Sequence, residues 1–275
     1  MRKVVDSNFL QSDELRDYLS KSAGNYVVLT DYAAMEAYKG DTLDTIYRSM
    51  EILADYPKQV IVLKGTQVAC GLRGRSAGLQ RRLIDERQMK EFGEYCQHLH
   101  AAKHGNVYLQ KQLLDFGREA TAHMDRMLAD AQNAPSAFDE IAKTYTDNEL
   151  RLLRNSSAFT EQMIDKLIRN VLLLAAYMFR DHPRTTKRPD VAELPNMFIF
   201  RSALCAYLLS LQWISVGGAK KVKPDRIRND MVDVNFAAYA TYFDGLLSAD
   251  NKLMEIYLKA VSLLDMIFTT KTKQA

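Results

Sequence analysis

Cysteine, proline and glycine are scarce in this chain: three, six and twelve residues in 275. Cys70, Cys96 and Cys205 are widely spaced and odd in number, which argues against a disulfide framework and fits a reducing, cytoplasmic setting. So few prolines and glycines exclude collagen-like and low-complexity chains, and no internal repeat is visible. A large excess of one charge is also missing. Lys and Arg number 37 against 34 Asp and Glu, so any hold on nucleic acid must come from local basic patches. No basic leader with an apolar run precedes the first strand-like segment, so no secretory signal is expected. The most apolar stretches, Val171 to Phe179 and Ser202 to Val216, are too short and marginal, respectively, for a bilayer. Both are expected as buried helices, and no membrane partner is expected. There is no P-loop, no G-x-G-x-x-G and no G-x-S-x-G, the usual signatures of nucleotide binding and acyl transfer.

What the chain does contain is an alternation of short β-branched runs with helical patterns. KVVDSNFL (residues 3–10), Tyr26 to Leu29 and QVIVLKG (59–65) read as strands. SDELRDYLSKS, the segment after Leu29, and DTLDTIYRSMEILADYP read as the helices between them. This alternation predicts an α/β fold with a parallel sheet covered on both faces. From about Gly71 to Asn196 no strand is convincing, and helices are predicted over Ala77 to His104, Val107 to Ala131 and Phe159 to Arg180. A helix from Met197 to Ser215, a basic loop, a further helix around NDMVDVNFAAYATYF, a short strand GLLS and a last helix complete the chain. The expected organisation is a core in two parts, residues 1–70 and 196–275, interrupted by an all-α insertion over 71–195.

Carboxylates fall where such a sheet places its ligand crevice. Asp6 ends the first strand, Glu36 lies in the helix after the second, and Asp230 and Asp233 are three apart on a late helix. Asp250 follows the last short strand. Each alone has an ordinary explanation as a strand end, a first-turn acid or an N-cap. Together, crowded carboxylates repel one another and call for a hard divalent cation, Mg2+ or Mn2+. Such an ion can hold a phosphodiester and lower the pKa of a bound water.

The order and surroundings of these acids resemble the PIN-domain nucleases, which carry an Asp in the first strand, a Glu in the second helix and two further acids near the C-terminus. VVDSNFL carries the first motif, LTDYAAMEAYKGD the second, and NDMVDVNFAAYATYFDGLLSAD the last two, with alanines at 237, 238 and 240 following Asp233. The likeness covers residues 1 to about 66 and 197 to 265. It implies a three-layer α/β/α core around a central, mostly parallel sheet. By resemblance, Asp6, Glu36, Asp233 and Asp250 are catalytic metal ligands, Asp230 is an accessory acid, and Asn8 and Ser248 support them. It also implies a metal-dependent endonuclease, with RNA favoured over DNA as substrate and DNA left open, of a kind often deployed as a toxin or in phage defence under an inhibitory or activating protein partner. The insertion is longer than the family pattern, and no final strand follows the last helix.

Two basic segments are candidates for nucleic-acid contact: Arg73 and Arg75, with Arg81 and Arg82 behind them, and Lys220, Lys221, Lys223, Arg226 and Arg228 directly before Asp230. Cys96, His100 and His104 share a helix face, but one straight helix cannot close a tetrahedral site, and they are read as helix surface. The rival reading is a catalytically silent scaffold of the same fold, binding nucleic acid or protein. The apolar stripes over 159–180 and 197–216 serve as core or as the interface of a homo-oligomer.

Overall fold

A computed structural model describes residues 1–39, 42–131, 134–155, 158–182, 189–218 and 222–272. The first part of the chain runs β1 (Arg2–Val5), α1 (Asp13–Ser20), β2 (Tyr26–Leu29), α2 (Asp31–Tyr38), α3 (Leu43–Asp55), β3 (Val60–Val62) and α4 (Thr66–Cys70). The middle is helical: α5 (Leu79–Leu83), α6 (Glu86–Lys103), α7 (Val107–Ala131), α8 (Ala134–Lys143), α9 (Asp147–Arg154) and α10 (Glu161–Asp181). The last part holds α11 (Phe198–Ser215), α12 (Pro224–Ala240), β4 (Leu246–Leu247) and α13 (Asn251–Thr272).

The four strands form one parallel sheet in the order β3-β2-β1-β4. Continuous apolar runs such as YVVL and VIV suit strands covered on both faces. The order sets a switch point: β2 and β3 lie to one side of β1, and β4 comes back on the other. Loops leaving β1 and β4 therefore part there, opening a crevice at the carboxyl ends of the strands.

Local sequence fixes the ends of the elements that frame this crevice. Thr30 caps α2 by accepting from the Ala33 amide at 3.1 Å, and Ser12 does the same for α1 through Leu15 at 3.1 Å. Gly217 and Gly218, with φ of 95° and 90°, end α11 where a side chain would strain the backbone. Their amides reach back to the carbonyls of Ile214 at 3.1 Å and Trp213 at 2.8 Å.

The long helix expected from Ala77 to His104 is two helices. Between α5 and α6, Ile84 forms an isolated antiparallel bridge to Leu63, and Asp85 caps α6 through the amides of Arg87 and Gln88. Pairing to the edge of β3 outweighs helical continuity at that point. Helices α4, α8 and α9 were not picked out individually by periodicity. The middle segment is packed into the whole: α7 lies on α2 and α12, α6 on β3, and α8, α9 and α10 on α11. One contiguous apolar core takes residues from all three stretches.

Helix α11 is that core's axis. It is the one helix among the described residues long and apolar enough to cross a membrane, and 83% of that window is buried inside the molecule. The expectation of a buried helix fails in part for α10. Its Met163, Leu167, Val171 and Ala175 stripe is buried against α11, but Leu172, Leu173 and Tyr177 face outward.

Candidate active site

Asp6 stands one residue beyond β1 and is 1% exposed. Its carboxylate accepts from Ser248 Oγ, just past β4, at 2.8 Å and from Ser7 Oγ at 3.3 Å. The Asn8 backbone N–H also donates to it. Ser7 Oγ lies within hydrogen-bond reach of Glu36 on α2 as well, so its one hydroxyl hydrogen is shared between the first two predicted acids. Asp233, on the third turn of α12, completes a group in which one oxygen of each of Asp6, Glu36 and Asp233 lies within 4.8 Å of the others.

The protonation behaviour follows from this crowding. Burial lifts the Asp6 and Glu36 carboxyls above their ordinary values, against the serine hydrogen bonds that pull the other way. Asp233 is pushed up to about 8, first by burial and then by the charges of Asp6, Glu36, Asp230 and Asp250. The nearest compensating cations for Glu36 are Lys39 and Arg228, whose fields lower its pKa.

Asp230 and Asp250 line the same cleft, of about 540 Å3, but stand outside the close trio. Asp230 is paired with Lys252. Asp250 caps α13, its Oδ1 accepting from the amides of Lys252 at 2.7 Å and Leu253 at 3.1 Å. Ser248 accepts from the Asp250 amide at 3.0 Å, so this cap is tied to Asp6 through one hydroxyl. Asn8 is exposed on the cleft wall and contributes through its backbone. Four of the predicted ligands, Glu36, Asp230, Asp233 and Asp250, line one cleft with Asp6 buried behind it, and of the five only Asp6, Glu36 and Asp233 come within shared reach of a cation.

The basic candidates divide sharply. Arg226 lines the acid cleft, whereas Arg228 is 6% exposed and directed at Asn229 Oδ1, at 2.9 and 3.2 Å. Arg228 is an internal counter-charge, and its burial denies it direct phosphate contact. Lys223 is exposed at the cap of α12. Lys220 and Lys221, like Gly40 and Asp41 at the end of the second motif, lie outside the described residues. Arg73 and Arg75 are not on the cleft. Their loop borders Arg2 and Tyr242, and Arg82 folds back onto the carbonyls of Arg73, Arg75 and Ala77 as an internal clasp. Arg75 faces Glu193 at 3.6 Å.

Ser7 and Lys252, which contact the acids of the cleft, and Asp31, which does not, carry no signal in the sequence pattern. Asp31 also sits at a strand's carboxyl end, after β2, but both oxygens are engaged by Thr66, the amide at 2.6 Å and the hydroxyl at 2.8 Å. Thr66 in turn meets the Tyr239 hydroxyl at 3.1 Å, so Asp31 ties α2 to α4 and α12. Cys96 is buried, which raises its thiol to about 11, and His104 Nδ1 lies 2.8 Å from the His100 carbonyl oxygen.

The site is thus a switch-point crevice of a parallel sheet in which three carboxylates cluster. Comparison with family models, curated proteins and solved structures finds no match to this chain.

Proposed function

We propose that this protein is a metal-dependent nuclease with a three-layer, PIN-like core that hydrolyses phosphodiesters, RNA in preference to DNA. The observation carrying this reading is the convergence of Asp6, Glu36 and Asp233 within 4.8 Å at the carboxyl edge of a parallel sheet. The donor set is all hard oxygen, and the burial and carboxylate crowding that raise Asp233 to about 8 would be offset by a divalent cation, which fits Mg2+ or Mn2+. Such an ion supplies an activated water and charge neutralisation at the phosphate.

The chain's own residues do the rest. Asp6, Glu36 and Asp233 hold the ion. Ser7 and Ser248 fix the rotation of the Asp6 and Glu36 carboxylates, as supporting hydrogen bonds do around metal sites. Arg226 and Lys39 on the cleft wall take the phosphates on either side of the scissile bond. Asp250 and Asp230 add negative potential from the rim. The preference for RNA and the restraining or activating protein partner rest on the PIN-like motif order.

The test joins binding to chemistry. Wild type should bind Mn2+ in a calorimetric titration and cut single-stranded RNA in the same buffer, while folded Glu36→Gln should lose both. Binding without cutting across RNA and DNA substrates would favour a catalytically silent scaffold.

A further inference from the structure

A second cavity, of about 310 Å3, adjoins the acid cleft. Gln212 and Trp213 from the end of α11, Arg226 from α12, Lys252 and Lys259 from α13, and Phe159 before α10 line it. Two residues join the cavities. Arg226 belongs to both linings, and Lys252 reaches from the second cavity to Asp230 in the first.

The walls of the second cavity are aromatic and cationic. Lys252 Nζ lies 4.2 Å from the Trp213 ring centre, the Arg226 guanidinium carbon 5.7 Å from it, and Lys259 Nζ 5.7 Å from the Phe159 ring. Lys252 and Lys259 are each paired with a carboxylate, whereas Arg226 has no ion-pair partner among the described residues. An apolar ligand would leave the Arg226 charge unmet, and a bare phosphate would make no use of the rings. A flat heterocycle with an attached phosphate uses both.

We propose that this cavity seats one nucleotide of a single-stranded nucleic acid whose backbone crosses the acid cleft. The base lies against Trp213 and Phe159, and its phosphate is held by Arg226 at the mouth between the cavities. The identity of the polymer rests on the nuclease reading. The pocket itself rests on its own walls.

Trp213 is the single tryptophan of the chain, so its fluorescence reports on this cavity alone. The full-length protein in EDTA is titrated with adenosine and uridine 5′-monophosphates, the matching nucleosides, and inorganic phosphate. Saturable quenching by the nucleotides, weaker quenching by the nucleosides and none by phosphate is the expected pattern. Arg226→Gln and Phe159→Ala, each verified as folded by circular dichroism, should weaken nucleotide binding about tenfold, the loss of roughly one such contact. Arg75→Gln should leave it unchanged. The proposal is overturned by no saturable response to nucleotides, by equal quenching with phosphate alone, or by titrations that Arg226→Gln and Phe159→Ala do not alter. Quenching without Mn2+-dependent cutting would keep the pocket and sink the nuclease, and cutting without quenching would do the reverse.

Discussion

Ser248 donates its hydroxyl hydrogen to Asp6 Oδ2 at 2.8 Å, a hydrogen bond between residues 242 positions apart in the chain. It closes the crevice between β1 and β4, and the same Ser248 oxygen accepts the Asp250 amide. Removing it frees the rotation of Asp6 without removing a ligand. Ser248→Ala is therefore expected to fold and to weaken Mn2+ binding by roughly 10–100-fold, read by calorimetry. Unchanged affinity would show that Asp6 is held by its other partners alone.

Titration of the trio predicts how stability depends on pH. Asp6, Glu36 and Asp233 all have folded-state pKa values above those of the unfolded chain, so the folded protein binds more protons. The stability they contribute is full below the ordinary carboxylate range and is lost as pH rises from about 4 to about 8. Metal-free protein should unfold at lower temperature at pH 8 than at pH 5.5. Mn2+ at 100 times its Kd should restore about 2.7 kcal/mol at pH 8, some 5–10 °C for a chain of this size. Asp233→Asn should raise the metal-free melting temperature at pH 8 and abolish most of the Mn2+ response.

Asp31 tests the difference between a carboxylate at a strand end and a ligand. Its two oxygens are occupied by Thr66, and it stands outside the trio. Asp31→Ala should cost about 2–3 kcal/mol in urea unfolding, because the Thr66 amide and hydroxyl lose their acceptor. Its Mn2+ affinity, measured where the variant is fully folded, should match wild type. A loss as deep as that of Asp6→Asn would make Asp31 part of the cation site.

The two basic segments are expected to behave differently toward single strands. Arg226 faces the cleft, so Arg226→Ala should weaken binding of a labelled oligonucleotide and reduce the salt slope by about 0.7, the loss of one phosphate contact. Arg75→Ala should change neither, since Arg75 is turned to Glu193 beside the start of β1. Equal effects would place the strand over the arginine loop.

Much of this architecture is legible in the sequence, for physical reasons that can be named. Strands buried on both faces leave unbroken apolar runs, so β1, β2 and β3 are visible, and the acid after the first run and that in the helix after the second mark the crevice edge. Val107 to Ala131 is predicted with the bounds observed because its period is uninterrupted. The break at Ile84 is set by pairing to Leu63, a tertiary event with no local signature. Arg228 and Arg226, two residues apart in one basic run, look alike in sequence, and only the packing of α12 buries the first and exposes the second. Ser7 is one hydroxyl among many until β1 and α2 bring it between Asp6 and Glu36. Asp230 and Asp250 were grouped with the trio by charge, and a lysine pair and a helix cap are what set them apart.

The central claim is that the Asp6, Glu36 and Asp233 trio cuts phosphodiesters with a divalent ion. End-labelled single-stranded RNA and DNA are incubated with purified, partner-free protein in Mn2+ and in EDTA, beside folded Asp6→Asn and Asp233→Asn. Cutting in Mn2+ that vanishes in EDTA, falls at least about a hundredfold in both variants and favours RNA is the predicted result. Cutting that survives EDTA, or that Asp6→Asn and Asp233→Asn retain in full, would contradict it.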